Sequence, residues 1–217
     1  MGHDETDTFI AFVAVCETAT HHSITGCNIR CNRDGLRVST HQELPLKELE
    51  MRHPGVTAAI ASTFCEAAAV CLQRHHSTPA DINIRHNEAL VATAKWEEPD
   101  ESSLRAWANE IDTTEVGAYG MALAAVEVSD GLVAYARAET RTGADYYLGQ
   151  AGADLDDLEN SHRLEVSGIS LADETKINAR LRRKVAQAKA GSSNLPAIAA
   201  VVGFSIKTVL MEDVGEP

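Results

Sequence analysis

"TGADYYLG" at residues 142–149 and "HRLEVSGIS" at residues 162–170 are the two stretches on which the reading of this chain turns. Both are short, bounded by Gly or Ser and rich in aromatic and branched residues, as strands are. Successive side chains of a strand point to opposite faces. In the first stretch Asp145 and Tyr147 face one way while Tyr146 and Leu148 face the other. In the second, Arg163, Glu165 and Ser167 oppose Leu164 and Val166. Each strand is therefore expected to pack an apolar face on helices and to keep a polar, wet face. If the two are neighbours in one sheet, Asp145 approaches Glu165. Carboxylates brought together repel and raise the pKa of at least one of them unless a cation lies between. A hard divalent ion, Mg²⁺ or Mn²⁺, suits oxygen ligands of this kind.

Outward from these strands the pattern continues in both directions. "EEPDESS" at 97–103 is acidic, contains proline and lacks apolar periodicity, which predicts a linker. After it, "SSLRAWANEI" predicts a helix started by Ser, and "TTEVGAYGMALAAVEV" one with Thr at its N-cap and an Ala-rich body. Then follow a strand "LVAYARAET", a turn "RTGA", a strand "DYYLG" and a Gly- and Asp-rich loop over 150–160. A strand "RLEVSGI", a basic helix "ETKINARLRRKVAQAKAG" and a strand "AIAAVVGF" complete the series. The order is α-β-β-β-α-β. Before the linker, "CNIRCNRDGLRVST" predicts an antiparallel ribbon, residues 53–79 a helix and "INIRHNEALVATAKWEE" a hairpin. The expected class is α/β with a mixed sheet, divided into an α+β region over 1–96, the linker and a core domain over 104–217.

This order resembles the core of the PD-(D/E)XK nucleases, the restriction-endonuclease-like fold, over roughly residues 103–205. An acidic residue on the first helix, Glu115, an Asp opening the second strand and a Glu on the third carry the resemblance. It implies a metal-dependent nuclease hydrolysing phosphodiester bonds of DNA or RNA, as in bacterial defence or mobile-element systems. It also implies that Asp145 and Glu165 are catalytic and hold Mg²⁺, with Glu115 as a supporting ligand. The chain departs from the family at two places: Ser167 stands where the family has Lys, and Ala144 where it has Pro. Some relatives take the lysine from the next helix. Here Ile177, Leu181 and Val185 form that helix's apolar line, with Arg180, Lys184 and Gln187 offset from it by about 60°. Lys184 is thus expected as the migrated lysine, positioning water or stabilising the transition state. Arg180, Arg183 and Gln187 are expected to contact the nucleic acid. Other roles stay open: Asp145 after Thr-Gly suits a turn, Glu165 suits an ion pair with Arg163 or Arg141, and Glu115 suits a helix N-terminus.

Charge pulls against a nucleic acid partner, since phosphate binding needs clustered Lys and Arg and the chain carries a net −13. The distribution softens this. Residues 89–173 hold 5 basic and 17 acidic side chains, residues 174–217 hold 7 basic and 4 acidic, and most of the latter basic residues sit in one helix. The same acidity supports a second function, a catalytically inactive nuclease-like protein binding a protein partner or a second copy of itself. The five cysteines, Cys16, Cys27, Cys31, Cys65 and Cys71, are odd in number and read as reduced, buried thiols. A zinc site from Cys27 and Cys31 with His21 or His22 is a third reading. His75 and His76 suit a helix C-terminus. "MGHDET" half-satisfies a myristoylation pattern. No apolar run reaches the roughly 20 residues that span a bilayer, and the start "MGHDETDTF" lacks a basic stretch before an apolar one, so a cytoplasmic location without membrane contact is expected.

Overall fold

A computed structural model describes residues 42–152, 161–191 and 193–215. The expected ribbon over 27–40, the zinc reading at Cys27 and Cys31, the myristoylation pattern and the tip of the 150–160 loop lie outside them. The described chain runs β1 (Gln42–Leu44), α1 (Leu49–Arg52), α2 (Ala58–Gln73), β2 (Ala80–Arg85), β3 (Ala89–Ala94), α3 (Glu101–Ala106) and α4 (Glu110–Asp130). It continues with β4 (Leu132–Arg137), β5 (Tyr146–Gln150), β6 (His162–Ile169), α5 (Glu174–Ala190), β7 (Ala197–Gly203) and β8 (Thr208–Val214). The class is mixed α/β. Among the described residues, no helix is long and apolar enough to cross a membrane.

The strands form one eight-stranded sheet in the order β1-β3-β2-β8-β7-β6-β5-β4. β4, β5 and β6 make an antiparallel meander, β7 lies parallel to β6, and β8 returns antiparallel to β7. The predicted hairpin is β2 and β3, and β2 joins the rest of the sheet through parallel pairs such as Asn83 with Thr208. The sheet curls: the Gly55 N–H donates to Ala134 O at 2.9 Å and the Ala134 N–H to His53 Nδ1 at 3.0 Å, so the segment after α1 covers the outer edge of β4. Residues 97–103, expected to divide two domains, fall inside the compact unit that begins at His41, between β3 and α3.

Two apolar layers sandwich the sheet. On one face α2 and α4 pack with Tyr146, Leu148, Leu164 and Val166, and on the other α5 packs Ile177, Leu181, Val185 and Ala188 against β7. The helical apolar line read from α5 is therefore its buried stripe. α2 and α4 approach closely because α4 offers Gly117, where a Cβ would come within 3.0 Å of the Ala67 carbonyl carbon. Helix starts differ from expectation. Asp100 caps α3 by accepting from the Ser103 N–H at 2.8 Å, and Asn109 caps α4 by accepting from Ile111 N–H at 3.1 Å. Thr113 and Thr114, expected at the cap, lie buried one turn inside α4. The Thr113 hydroxyl donates back to Asn109 O at 2.6 Å, a local bond that a Thr can make only inside the helix.

Candidate active site

β5 and β6 pair with Tyr146 opposite Leu164 and Tyr147 opposite Arg163. The regular pairing ends at Tyr146, and Asp145 lies just before this first paired residue of β5, in the same cleft as Glu165. The Asp145 N–H donates to Leu164 O at 2.7 Å, one residue out of that register, so the ladder turns irregular at Asp145. The turn that delivers Asp145 uses Gly143 at φ +69°, a left-handed backbone that glycine adopts freely. Arg163 fastens that turn from below. Buried at 4 % exposure, it donates to the backbone carbonyls of Thr142 (2.8 Å), Ala188 (3.0 Å) and Leu195 (3.0 Å), tying the turn to the end of α5.

The polar face of β6 is not wet, contrary to expectation. Arg163, Glu165 and Ser167 are all buried, because α5 lies across them. Glu165 is met by Lys184, whose Nζ donates to Glu165 Oε1 at 2.5 Å, while the hydrogen bonds of Arg163 go to backbone carbonyls. Lys184 also reaches Gln187 Oε1 at 3.3 Å. Burial pushes the Glu165 carboxyl above its usual range, Asp145 adds to the rise and Lys184 opposes it. Two residues along the same strand, Ser167 Oγ accepts from Arg180 Nη1 at 2.7 Å. The basic helix thus places cations over Glu165 and Ser167 of β6.

Asp145 is held from three sides. Its Oδ2 accepts from the Val166 N–H at 2.8 Å, and its Oδ1 accepts from the Tyr119 hydroxyl at 2.9 Å. Arg137 Nη2 completes the set with 3.2 Å to the Tyr119 oxygen and 3.5 Å to Asp145 Oδ1. Burial, then the charge of Asp145, push the Tyr119 hydroxyl above its usual value, so it stays protonated and donates.

These groups surround an open cleft of about 700 Å³ that takes in Glu115, Tyr119, Arg137, Asp145, Glu165 and Lys184. Gln187 lines it too, while Arg180 lines an adjoining cavity of about 590 Å³ with Ser167; Glu115 and Lys184 belong to both. Of the residues expected in a site, Asp145, Glu165, Lys184, Gln187 and Glu115 share one cleft and Arg180 stands beside it. Arg183 is exposed on α5 and lines neither cavity. Among the described residues no group of three or more His, Cys, Asp and Glu side chains is gathered to hold a metal, so Glu115 does not close a triad with the two carboxylates. Two buried or half-buried carboxylates with space for water still fit Mg²⁺, which commonly takes one or two carboxylates and keeps several waters.

Tyr119 and Arg137 escaped the sequence reading. Tyr119 sits in an Ala-rich run and reads as core, although its place four residues after Glu115 puts it on the same face of α4. Arg137 was hidden by a β-bulge: the register with β5 skips Tyr135 between Ala134 and Ala136. Gly168, a residue type that often marks a bulge, keeps regular pairing with Val202.

Compared with known proteins, the chain matches no protein family, no curated protein and no solved structure.

Proposed function

We propose that this cleft hydrolyses phosphodiester bonds of DNA or RNA with the help of a divalent cation, Mg²⁺ or Mn²⁺, held by Asp145 and Glu165. The observation that carries the reading is that Asp145 and Glu165 line one cleft with Lys184, from the following helix, on Glu165. The succession α4-β4-β5-β6-α5-β7 agrees with the α-β-β-β-α-β order of the PD-(D/E)XK nucleases and supports the same reading. Bound there, the ion supplies Lewis-acid charge against a phosphate oxygen and lowers the pKa of water. The chain's own groups do the rest. Tyr119 and the Val166 N–H fix the Asp145 carboxylate, Lys184 holds Glu165 and presents positive charge to the cleft, and Arg180 with Gln187 offers donors to the phosphate backbone. The test is cleavage of single- and double-stranded DNA and RNA in Mg²⁺ or Mn²⁺. Cleavage that is abolished by chelation and by Asp145→Asn or Glu165→Gln supports the proposal; no cleavage of any substrate overturns it.

One observation favours a second reading, a nuclease-like protein without activity that binds a protein through its acidic surface. Each carboxylate already has a cation of the protein's own, Lys184 at Glu165 and Arg137 at Asp145, so the pair tolerates its closeness without a metal. A stoichiometric protein partner together with absent divalent binding distinguishes this reading from the first.

A further inference from the structure

Arg137 is firmly placed and yet half exposed at the cleft. The bulge at Tyr135 inserts one residue into β4. Inserting a residue reverses which face the following side chains take. Without it, Arg137 would lie on the opposite face from Ala134. With it, Arg137 pairs with Tyr146 and shares its face, the α4 side. There the guanidinium carbon lies 4.5 Å from the Tyr119 ring centre and 4.7 Å from that of Tyr146. The two rings stand at 73° to one another and make a corner that fixes the plane of the fork. Stacking of this kind restrains a guanidinium while keeping its edge donors available.

Those donors face the cleft. The side chain is half exposed (50 %); Nη2 contacts Tyr119 and Asp145, and the guanidinium also bonds to Tyr146. The Asp145 contact is long, at 3.5 Å, for a charge-assisted bond. A planar cation with an exposed edge at the mouth of a cleft matches the geometry of a phosphate oxyanion, which Arg binds through two parallel bonds. We propose that Arg137 is a phosphate receptor, seating one phosphate group of the substrate beside Asp145. This rests on the phosphodiester reading above and adds to it the residue that fixes where the substrate enters. Asp145 competes with the oxyanion for the same guanidinium, so the seat is weak until the carboxylate is neutralised.

The test uses inorganic phosphate as the probe, titrated by calorimetry into full-length protein in chelator, so that no metal and no hydrolysis enters. Asp145→Asn removes the competing charge and is expected to tighten phosphate binding roughly tenfold relative to the unaltered protein. Adding Arg137→Gln to Asp145→Asn is expected to cancel that gain. Adding Arg137→Lys, which keeps the charge but not the planar fork, is expected to retain only a small part of it, and it guards against Arg137→Gln failing to fold. If the Asp145→Asn protein binds phosphate no better than the unaltered one, or if the gain survives in the Arg137→Lys double variant, the assignment is overturned. Because divalent-dependent cleavage is measured separately, loss of this seat and loss of the nuclease reading are told apart.

Discussion

Arg180 stands over Ser167 one turn of helix from where Lys184 stands over Glu165. Four residues of helix rise about 6 Å, and two residues of strand span about 6.6 Å. A helix packed antiparallel on a strand can therefore match side chains at i and i+4 to side chains at j and j−2. The polar face of β6 is buried without being left uncompensated because α5 carries its cations at this spacing. Ser167, where the resemblance leads one to expect a lysine, thereby has a cation brought to it from outside the strand.

Lys184→Met is expected to destabilise the protein by about 3 kcal/mol. That is the low end for breaking a buried ion pair, since Lys184 retains access to water while Glu165 does not. Urea unfolding measures it. Glu165→Gln combined with Lys184→Met should recover part of the loss, because no buried charge then remains unpaired. An unchanged midpoint in the single variant contradicts the buried pairing.

Gly168→Ala tests the approach of β6 to α4 beside the cleft. A Cβ there would come within 2.3 Å of the Thr114 carbonyl oxygen and 2.8 Å of its methyl carbon, so helix and strand must part. The expected loss is about 2 kcal/mol or more by thermal or urea unfolding, and the proposed cleavage should fall with it as Glu115 and Tyr119 move with α4. Retained stability would mean that the α4–β6 contact yields easily.

His86 sets the alkaline limb of stability. Its Nδ1 lies 3.0 Å from Asp130 Oδ2 and its Nε2 3.1 Å from Asp213 Oδ1, joining the β2–β3 turn to α4 and β8. Besides these two carboxylates, His162 on β6 and Asn87 share the cavity. The hydrogen bond to Asp130 raises the His86 pKa above its usual 6.5 against the opposing effect of burial. A raised folded pKa gives stability that is fully present below pH 6.5 and lost as pH rises through the folded value. The folded protein should therefore lose stability over that range. His86→Gln should flatten the profile. An equal slope in the variant would place the alkaline loss elsewhere.

Much of the fold is legible where the pattern is local. The apolar stripe of α5, the β2–β3 hairpin and the two faces of β5 and β6 follow from periodicities of 3.6 and 2. What escapes is non-local or a single residue deep. The acidic segment 97–103 looks like a domain break because nothing nearby announces that β2 will pair with β8, over a hundred residues later. Thr113 and Thr114 look like caps, yet Asn109 lies upstream with its side chain free to take the role. The inserted Tyr135 leaves no trace in a six-residue strand, yet it decides that Arg137 joins Asp145. The face of β6 read as wet is dry because its charges are matched by a helix that begins only five residues beyond the strand.

Calorimetric titration of Mn²⁺ into the unaltered protein, Asp145→Asn and Glu165→Gln at neutral pH probes the paired carboxylates without assuming any substrate. Saturable binding to the unaltered protein, weakened roughly tenfold or more by each substitution, is the predicted result. No binding by the unaltered protein, or binding that survives both substitutions, contradicts a divalent site between β5 and β6.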